Sequence, residues 1–487
     1  MVDLPAAALR HNAVRPRTPG GRAAGVAGCG ARAPAAAVNR TIGDLRALDA
    51  ATSLGPGAAA KDRRWDLLMI CLTGYVLAVV GRVHQLFSVL EPFRLALTTA
   101  GLALVLYLLD GSRARRLGPI LRLRTTRCVL GLALWMAFSI PGALWPGGAF
   151  QEFTDEFGKA AMMFVVVAAA PRGFLDVERL TFAYLVAAGT YAGVVLSRFS
   201  VSGDQWRLAS LYYYDANDFA TLAVMALPLA VYFVVRRGQL WRRLAGATAA
   251  ALLAVGFIWA GSRGGFLALL AVGAFLLLRY QAIRVRWRVL ITAVLTLVFA
   301  ATATDTYWEK MSTIVQPKDD YNVTGKEGRV QVWKRGLGYM MQHPVLGVGA
   351  GNFPTAEGTI SPLIRTTPSG KGIKWLQAHN SFVQVGAELG VPGLLFFVLM
   401  LSSAFRALRE VGRGNPARTA GEHSTPPAQL AQALTASLLG YVVGGFFLSL
   451  AYRDLLFVLL ALIVGLRKST LQLRPAPRTH PSAPWSF

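Results

Sequence analysis

Cysteine is nearly missing from this chain, with three in 487 residues. Cys29, Cys71 and Cys128 offer neither a disulfide framework nor the paired spacing of a thiolate metal site. Cys71 and Cys128 fall inside apolar runs and read as packing residues. Charge is scarce as well, at 15% of residues, and acidic side chains (25) are half as numerous as basic ones (50). A net charge of +25 would suit nucleic acid if the basic side chains formed one patch. They come instead in bursts at alternate ends of apolar runs, the pattern that positive-inside orientation produces. That arrangement argues against nucleic acid as a partner.

What the chain has in quantity is apolar sequence: 54% of residues are hydrophobic and the mean hydropathy is +0.45. The runs are each near the roughly 20 residues that cross about 30 Å of hydrocarbon. In lipid the backbone must satisfy its own hydrogen bonds, which leaves helices as the natural solution. The expected fold class is an all-α polytopic membrane protein with about 12 transmembrane helices. The spans fall near 65–81, 92–109, 128–145, 157–171, 179–197, 216–235, 243–261, 264–279, 289–304, 381–405, 429–450 and 454–467.

Residues 1–64 are rich in Ala, Gly, Pro and Arg and cannot bury enough surface to order themselves. They also lack the continuous apolar core of a signal peptide, so the expectation is a disordered basic cytoplasmic tail. Residues 65–467 form the transmembrane domain, and 468–487 a second cytoplasmic tail. With the first tail inside, the clusters at Arg113, Arg115 and Arg116 and at Arg406, Arg409 and Arg413 also fall inside. Glu152, Asp155 and Glu156 fall outside, and an even number of spans returns the C-terminus to the cytoplasm. No internal sequence repeat is visible.

This topology places a long polar segment, 305–378, on the outside, too long for a plain connection. Within it Val330, Trp333 and Leu337 follow helical spacing and predict an amphipathic helix along the outer interface. Arg329 precedes Trp333 by one turn, where a cation–π contact would orient it. Gly347, Gly349 and Gly351 alternate and permit close backbone approach. No strand–helix unit flanks them, so they are no dinucleotide fingerprint.

Four side chains stand out. His379 lies at the mouth of the span that begins at Ser381, where a neutral imidazole can accept a proton from a hydroxyl. Arg263 lies in a tight turn between two spans, Arg207 precedes the start of another, and Arg329 opens the amphipathic helix. Charges at membrane depth cost several kcal/mol and usually face a cavity or a partner. The guanidinium fork suits phosphate. Plainer readings stand beside these: Arg263 snorkels to headgroups, Arg329 is an ordinary interfacial charge, and His379 is a hydrogen-bonded helix-start residue. Asp215 and Asp218 read as helix caps. Glu388 would lie about 13 Å beyond His379 on the opposite face of a straight helix, and so reads as a packing residue. Arg453 and Asp454 read as an ion pair. Glu152, Asp155 and Glu156 are either a divalent-ion cluster or ordinary acidic loop residues.

Residue types alone thus yield phosphate, base and membrane. Several pieces together resemble the O-antigen ligase and polymerase superfamily over roughly 65–467. They are Gly261-Ser262-Arg263-Gly264-Gly265, the glycine stretch from Pro344 to Phe353 after Arg329 and Trp333, and His379-Asn380 followed by Glu388 and Gly390. Arg207 ahead of Asp215-Ala216-Asn217 completes the set. The resemblance implies a GT-C-like fold with a large external loop containing short helices. It implies a bacterial inner-membrane enzyme that takes a polyprenyl-pyrophosphate-linked glycan as donor and a lipid, glycan or protein hydroxyl as acceptor. Transfer would be inverting and independent of metal or cofactor. On that likeness Arg263, Arg207 and Arg329 hold the donor diphosphate and His379 is the base. Asn380, Glu388, Asn217 and Asp215 would support them. A membrane transporter of a small anion is the reading from another class. Such sites usually lie at the midplane between repeats, whereas here the charges lie at outer ends.

Overall fold

The computed structural model describes residues 65–472, apart from 200–206, 209–210, 212, 237, 317–319, 366–374 and 414–423. The tail expected at 1–64, and residues 473–487, lie outside the described residues. The apolar runs fold as helices, with no strand among the described residues. In chain order these include α1 (Leu67–Gly81), α2 (Leu95–Leu109), α3 (Arg113–Leu121), α4 (Arg124–Ser139) and α5 (Gly158–Ala169). Then come α6 (Phe174–Arg198), α7 (Ala216–Val235), α8 (Leu240–Ala260), α9 (Arg263–Arg279) and α10 (Val285–Thr302). The polar segment carries α11 (Asp305–Ser312), α12 (Arg329–Gln342) and α13 (Phe353–Thr359). The chain then runs through α14 (Ser381–Arg413), α15 (Pro426–Gly445) and α16 (Asp454–Gln472).

Among the described residues, five stretches are long and apolar enough to cross a membrane: Ser88–Leu109, α6, α7, α8 and α14. Two bent pairs, Arg113–Leu121 with Arg124–Gly142 and Val285–Ala301 with Asp305–Ser312, raise the number to seven. The expected twelve is therefore not reached by length and hydropathy. The reason is partly geometric: α1 has 15 residues and α5 has 12. At the rise of an α-helix these span about 22 and 18 Å, short of the ~30 Å hydrocarbon layer.

α7 lies at the centre, packed against α8 and α15, while α9 packs on α15 and α16 on α5. The α7–α15 contact is close because Gly444 has no side chain. A Cβ there would stand 2.6 Å from the Thr221 methyl. α14 packs against α4 on one side and α12 on the other.

The helix expected after Arg329 is present as α12, with a different face turned inward. Val332, Gly336 and Tyr339 are buried, whereas Leu337 is 47% exposed. Gly336 decides this: a Cβ there would lie 2.5 Å from Val383 Cγ1, so the bare glycine lets α12 sink onto α14. A stripe read from large apolar residues misses that face.

Candidate active site

Arg263 is the first residue of α9. Gly261 closes α8 in the left-handed region (φ 54), and Ser262 caps α9 by accepting from the Gly265 amide at 3.2 Å. The turn expected from Gly261 to Gly265 is thus a helix stop followed at once by a helix start. Arg263 does not reach out to solvent. Its guanidinium donates to Asp320 at 2.7 and 3.2 Å and to Thr313 Oγ1 at 2.6 Å. Asp320 is held below the usual carboxylate range: burial opposes this, and bonds from Asn322 and Arg263 outweigh it.

Arg329 begins α12 and makes no ion pair among the described residues. Burial lowers its pKa first and the nearby Arg263 lowers it further, with Asp215 and Asp320 opposing. The expected cation–π contact with Trp333 does not form. The indole N–H instead donates to the Ala378 carbonyl at 3.0 Å, and its ring packs against Phe446 and Phe447. Those bonds dock α12 onto the segment leading into His379. Arg207 stands near the end of α8, where the Leu208 amide donates to the Trp259 carbonyl. Burial lowers its pKa with Asp215 opposing, and its buried Nε has no hydrogen-bond partner among the described residues. Lys310 on α11 joins this group. Burial and the fields of Arg207, Arg263 and Arg329 push its ammonium down to about 8.

His379 adopts the left-handed region (φ 45), and its amide donates to Ser449 Oγ at 2.9 Å. Asn380 then caps α14, its side-chain oxygen accepting from Phe382 and Val383. Ser381 bridges Leu448 and Leu450. The segment 446–453 between α15 and α16 is therefore the seat of His379. Burial lowers the His379 pKa first, and Arg329 lowers it again while Asp215 opposes. The imidazole is held neutral, the state a general base requires.

Asp215 is the cap foreseen for α7, accepting from Asn217 and Asp218 at 2.7 Å each. Asn217, on the first turn of α7, is half-buried. Glu388 is buried at 1% exposure, accepts from the Phe353 amide at 3.2 Å, and lines the same cavity as His379. The opposite-face expectation fails because His379 precedes the helix in a left-handed conformation, so helical spacing does not relate the two.

The glycine stretch meets α14 backbone to backbone. α14 breaks at Gly390 (φ 67, ψ −168). Val348 and Gly349 amides donate to the Ala387 and Glu388 carbonyls at 2.9 Å, and the Val391 amide to Pro344 at 2.8 Å. Gly347, Gly349 and Gly351 all have positive φ. Farther out, Glu357 receives Arg335 and the Tyr339 hydroxyl, tying α13 to α12.

Arg453 pairs with Glu156 at 3.4 Å and with the Tyr213 hydroxyl, while Asp454 pairs with Arg82 at 3.5 Å. The ion pair expected between Arg453 and Asp454 does not form, since each turns to a different neighbour. Among the described residues, no three His, Cys, Asp or Glu side chains are grouped to hold a metal ion.

The arrangement brings His379, Arg329, Arg207 and Asp215 into one field, with Arg263 adjoining through Arg329. Sequence reasoning missed Asp320 and Lys310 outright, and it placed Glu152, Asp218 and Arg453 in other roles. Comparison with curated proteins finds no match to this chain. Residues 248–398 match the family model for O-antigen ligase, a stretch holding Arg263, Arg329, His379, Asn380 and Glu388. That match supports the chain's membership of the O-antigen ligase/polymerase superfamily.

Proposed function

We propose that the chain is a membrane glycosyltransferase of ligase or polymerase type. It moves a saccharide from a polyprenyl-pyrophosphate-linked donor to an acceptor hydroxyl on the outer side of the bacterial cytoplasmic membrane. The observation that carries this reading is the meeting of a neutral, half-buried His379 with Arg329 and Arg207, neither of them paired to a carboxylate among the described residues.

In this reading His379 takes the proton of the acceptor hydroxyl as its oxygen attacks the anomeric carbon. The bond to the diphosphate breaks on the opposite face, and its electrons remain on the leaving oxygen. Arg329 and Arg207 stand where that charge develops, which is usually the largest catalytic contribution. Arg263 joins by exchanging Asp320 for phosphate, since both present two oxygens to the guanidinium fork. Asn380 and Asp215 hold the helix starts that carry His379 and Asn217, and Glu388 anchors the glycine stretch. The same proposal includes a GT-C-like arrangement, both termini on the cytoplasmic side, and transfer without metal or cofactor.

Deletion of the gene tests the reading. Single repeat units left on lipid indicate a polymerase, and long lipid-linked chains awaiting transfer indicate a ligase. Unaltered surface glycan, with uptake of labelled anion by the purified protein in liposomes, overturns both in favour of transport.

A further inference from the structure

Lys310 takes no part in the steps above, yet it stands among the side chains that do. It lies on α11, three residues before Thr313, whose hydroxyl donates back to the Lys310 carbonyl at 2.8 Å. Residues so spaced are neighbours on one helix surface. The Arg263 guanidinium donates to Thr313 Oγ1 at 2.6 Å and to Asp320 at 2.7 Å. The end of α11 is thus docked on the start of α9, with Lys310 one turn from the joint.

The fields that reach its ammonium come from Arg207, Arg263 and Arg329, on three other segments, and each opposes its charge. All four side chains are half-buried. The acidic groups around them are differently engaged. Asp305 and Glu309, on α11 itself, are exposed. Asp320 sits in the fork of Arg263, and Asp215 acts on Arg207 and Arg329. Like charges gathered in partial burial destabilise one another, and an anion seated among them removes that cost. An arginine keeps its charge throughout the accessible pH range. Lys310 alone of the four can lose its charge, since burial and the three arginines push it down to about 8.

Resting on the glycosyltransferase reading above, we propose that Lys310 is a further ligand of the donor diphosphate, and that it takes up a proton as the donor binds. The sign follows directly. A bound anion favours the ammonium, so the bound form holds its proton to higher pH than the empty form. Donor affinity is therefore full below about pH 8 and falls as pH rises through it. An anionic phospholipid headgroup offers similar oxygens, so the test must separate the two sources.

Full-length protein in phosphatidylcholine nanodiscs is titrated with farnesyl pyrophosphate at pH 7 and pH 9. Wild-type affinity should fall about fivefold between them. Lys310→Met should bind about tenfold more weakly than wild type at pH 7, the loss of one charge-assisted bond. Any pH response left in that variant belongs to the ligand. Lys310→Arg, charged at both values, should keep its affinity at pH 9, an outcome that a purely structural lysine would not produce. A Lys310→Met protein that matches wild type at pH 7, or that shows the same pH response, overturns the proposal. Displacement of farnesyl pyrophosphate by phosphatidylglycerol, with the same dependence on Lys310, makes the group a general headgroup site and also overturns it. Binding that responds to Arg329→Gln and not to Lys310→Met removes Lys310 alone. Binding that ignores both substitutions counts against the enzyme reading itself.

Discussion

At the residue scale the weight falls on His379 and on Arg329 and Arg207, which make no ion pair among the described residues. His379→Ala should lower turnover by about 10²–10⁴-fold, measured as product formed from lipid-linked donor at equal protein level. Its pKa, lowered from 6.5 by burial and by Arg329, fixes the sign of the pH response. Only the neutral ring accepts a proton, so kcat/KM should hold through pH 6.5 and fall as pH drops through a midpoint below it. A midpoint above 6.5 would remove His379 from the base role. Arg263 raises a different question, because Asp320 already fills its fork. Under the exchange proposed above, Asp320→Asn should lower the KM for donor, and Arg263→Lys should raise it, since an ammonium cannot offer paired bonds. The cap at Asp215 was legible in the sequence, because a cap needs only its own helix start. Asp320 was not, since its partner is 57 residues away and nothing local marks it.

At the scale of elements, the glycines carry more of the design than the large apolar residues. The alternating run from Gly347 to Gly351 announced close backbone approach, but the sequence could not name what it approaches. The partner is α14 at its own break, where Gly390 combines φ 67 with ψ −168. A Cβ at Gly390 would lie 2.5 Å from the carbonyl oxygens of Pro344 and Val345. That backbone region is nearly closed to other residues and costs about 1–3 kcal/mol. Gly390→Ala should therefore lower the melting temperature in detergent and cut the yield of folded protein, and an unchanged melting curve would show that the break is dispensable. α12 teaches the same lesson. Its helical spacing was plain, while its buried face depends on Gly336 meeting Val383, a contact no single segment reveals.

At the scale of the whole molecule, the all-helical character followed from the apolar runs, while their number as crossings did not. Run length in a sequence does not say where a helix stops, and α1 and α5 stop early. What the fold does decide is convergence: the starts of α7, α9, α12 and α14 and the segment before α16 meet at one mouth. Cysteine placed singly at 263 and at 379, in a chain with Cys29, Cys71 and Cys128 replaced, should react with an impermeant maleimide from the same side of sealed vesicles. Labelling from opposite sides would break the site apart.

The break in α14 also sets an order of events during synthesis. The polar segment is made first, yet the carbonyl groups that accept from Val348 and Gly349 belong to residues 387 and 388, and the amide that donates to the Pro344 carbonyl belongs to Val391. Until the ribosome has delivered that turn, the loop has no surface on which to settle. Assembly of this mouth must wait for a helix that emerges after it, so a nascent chain released before Val391 should remain open to protease throughout the loop.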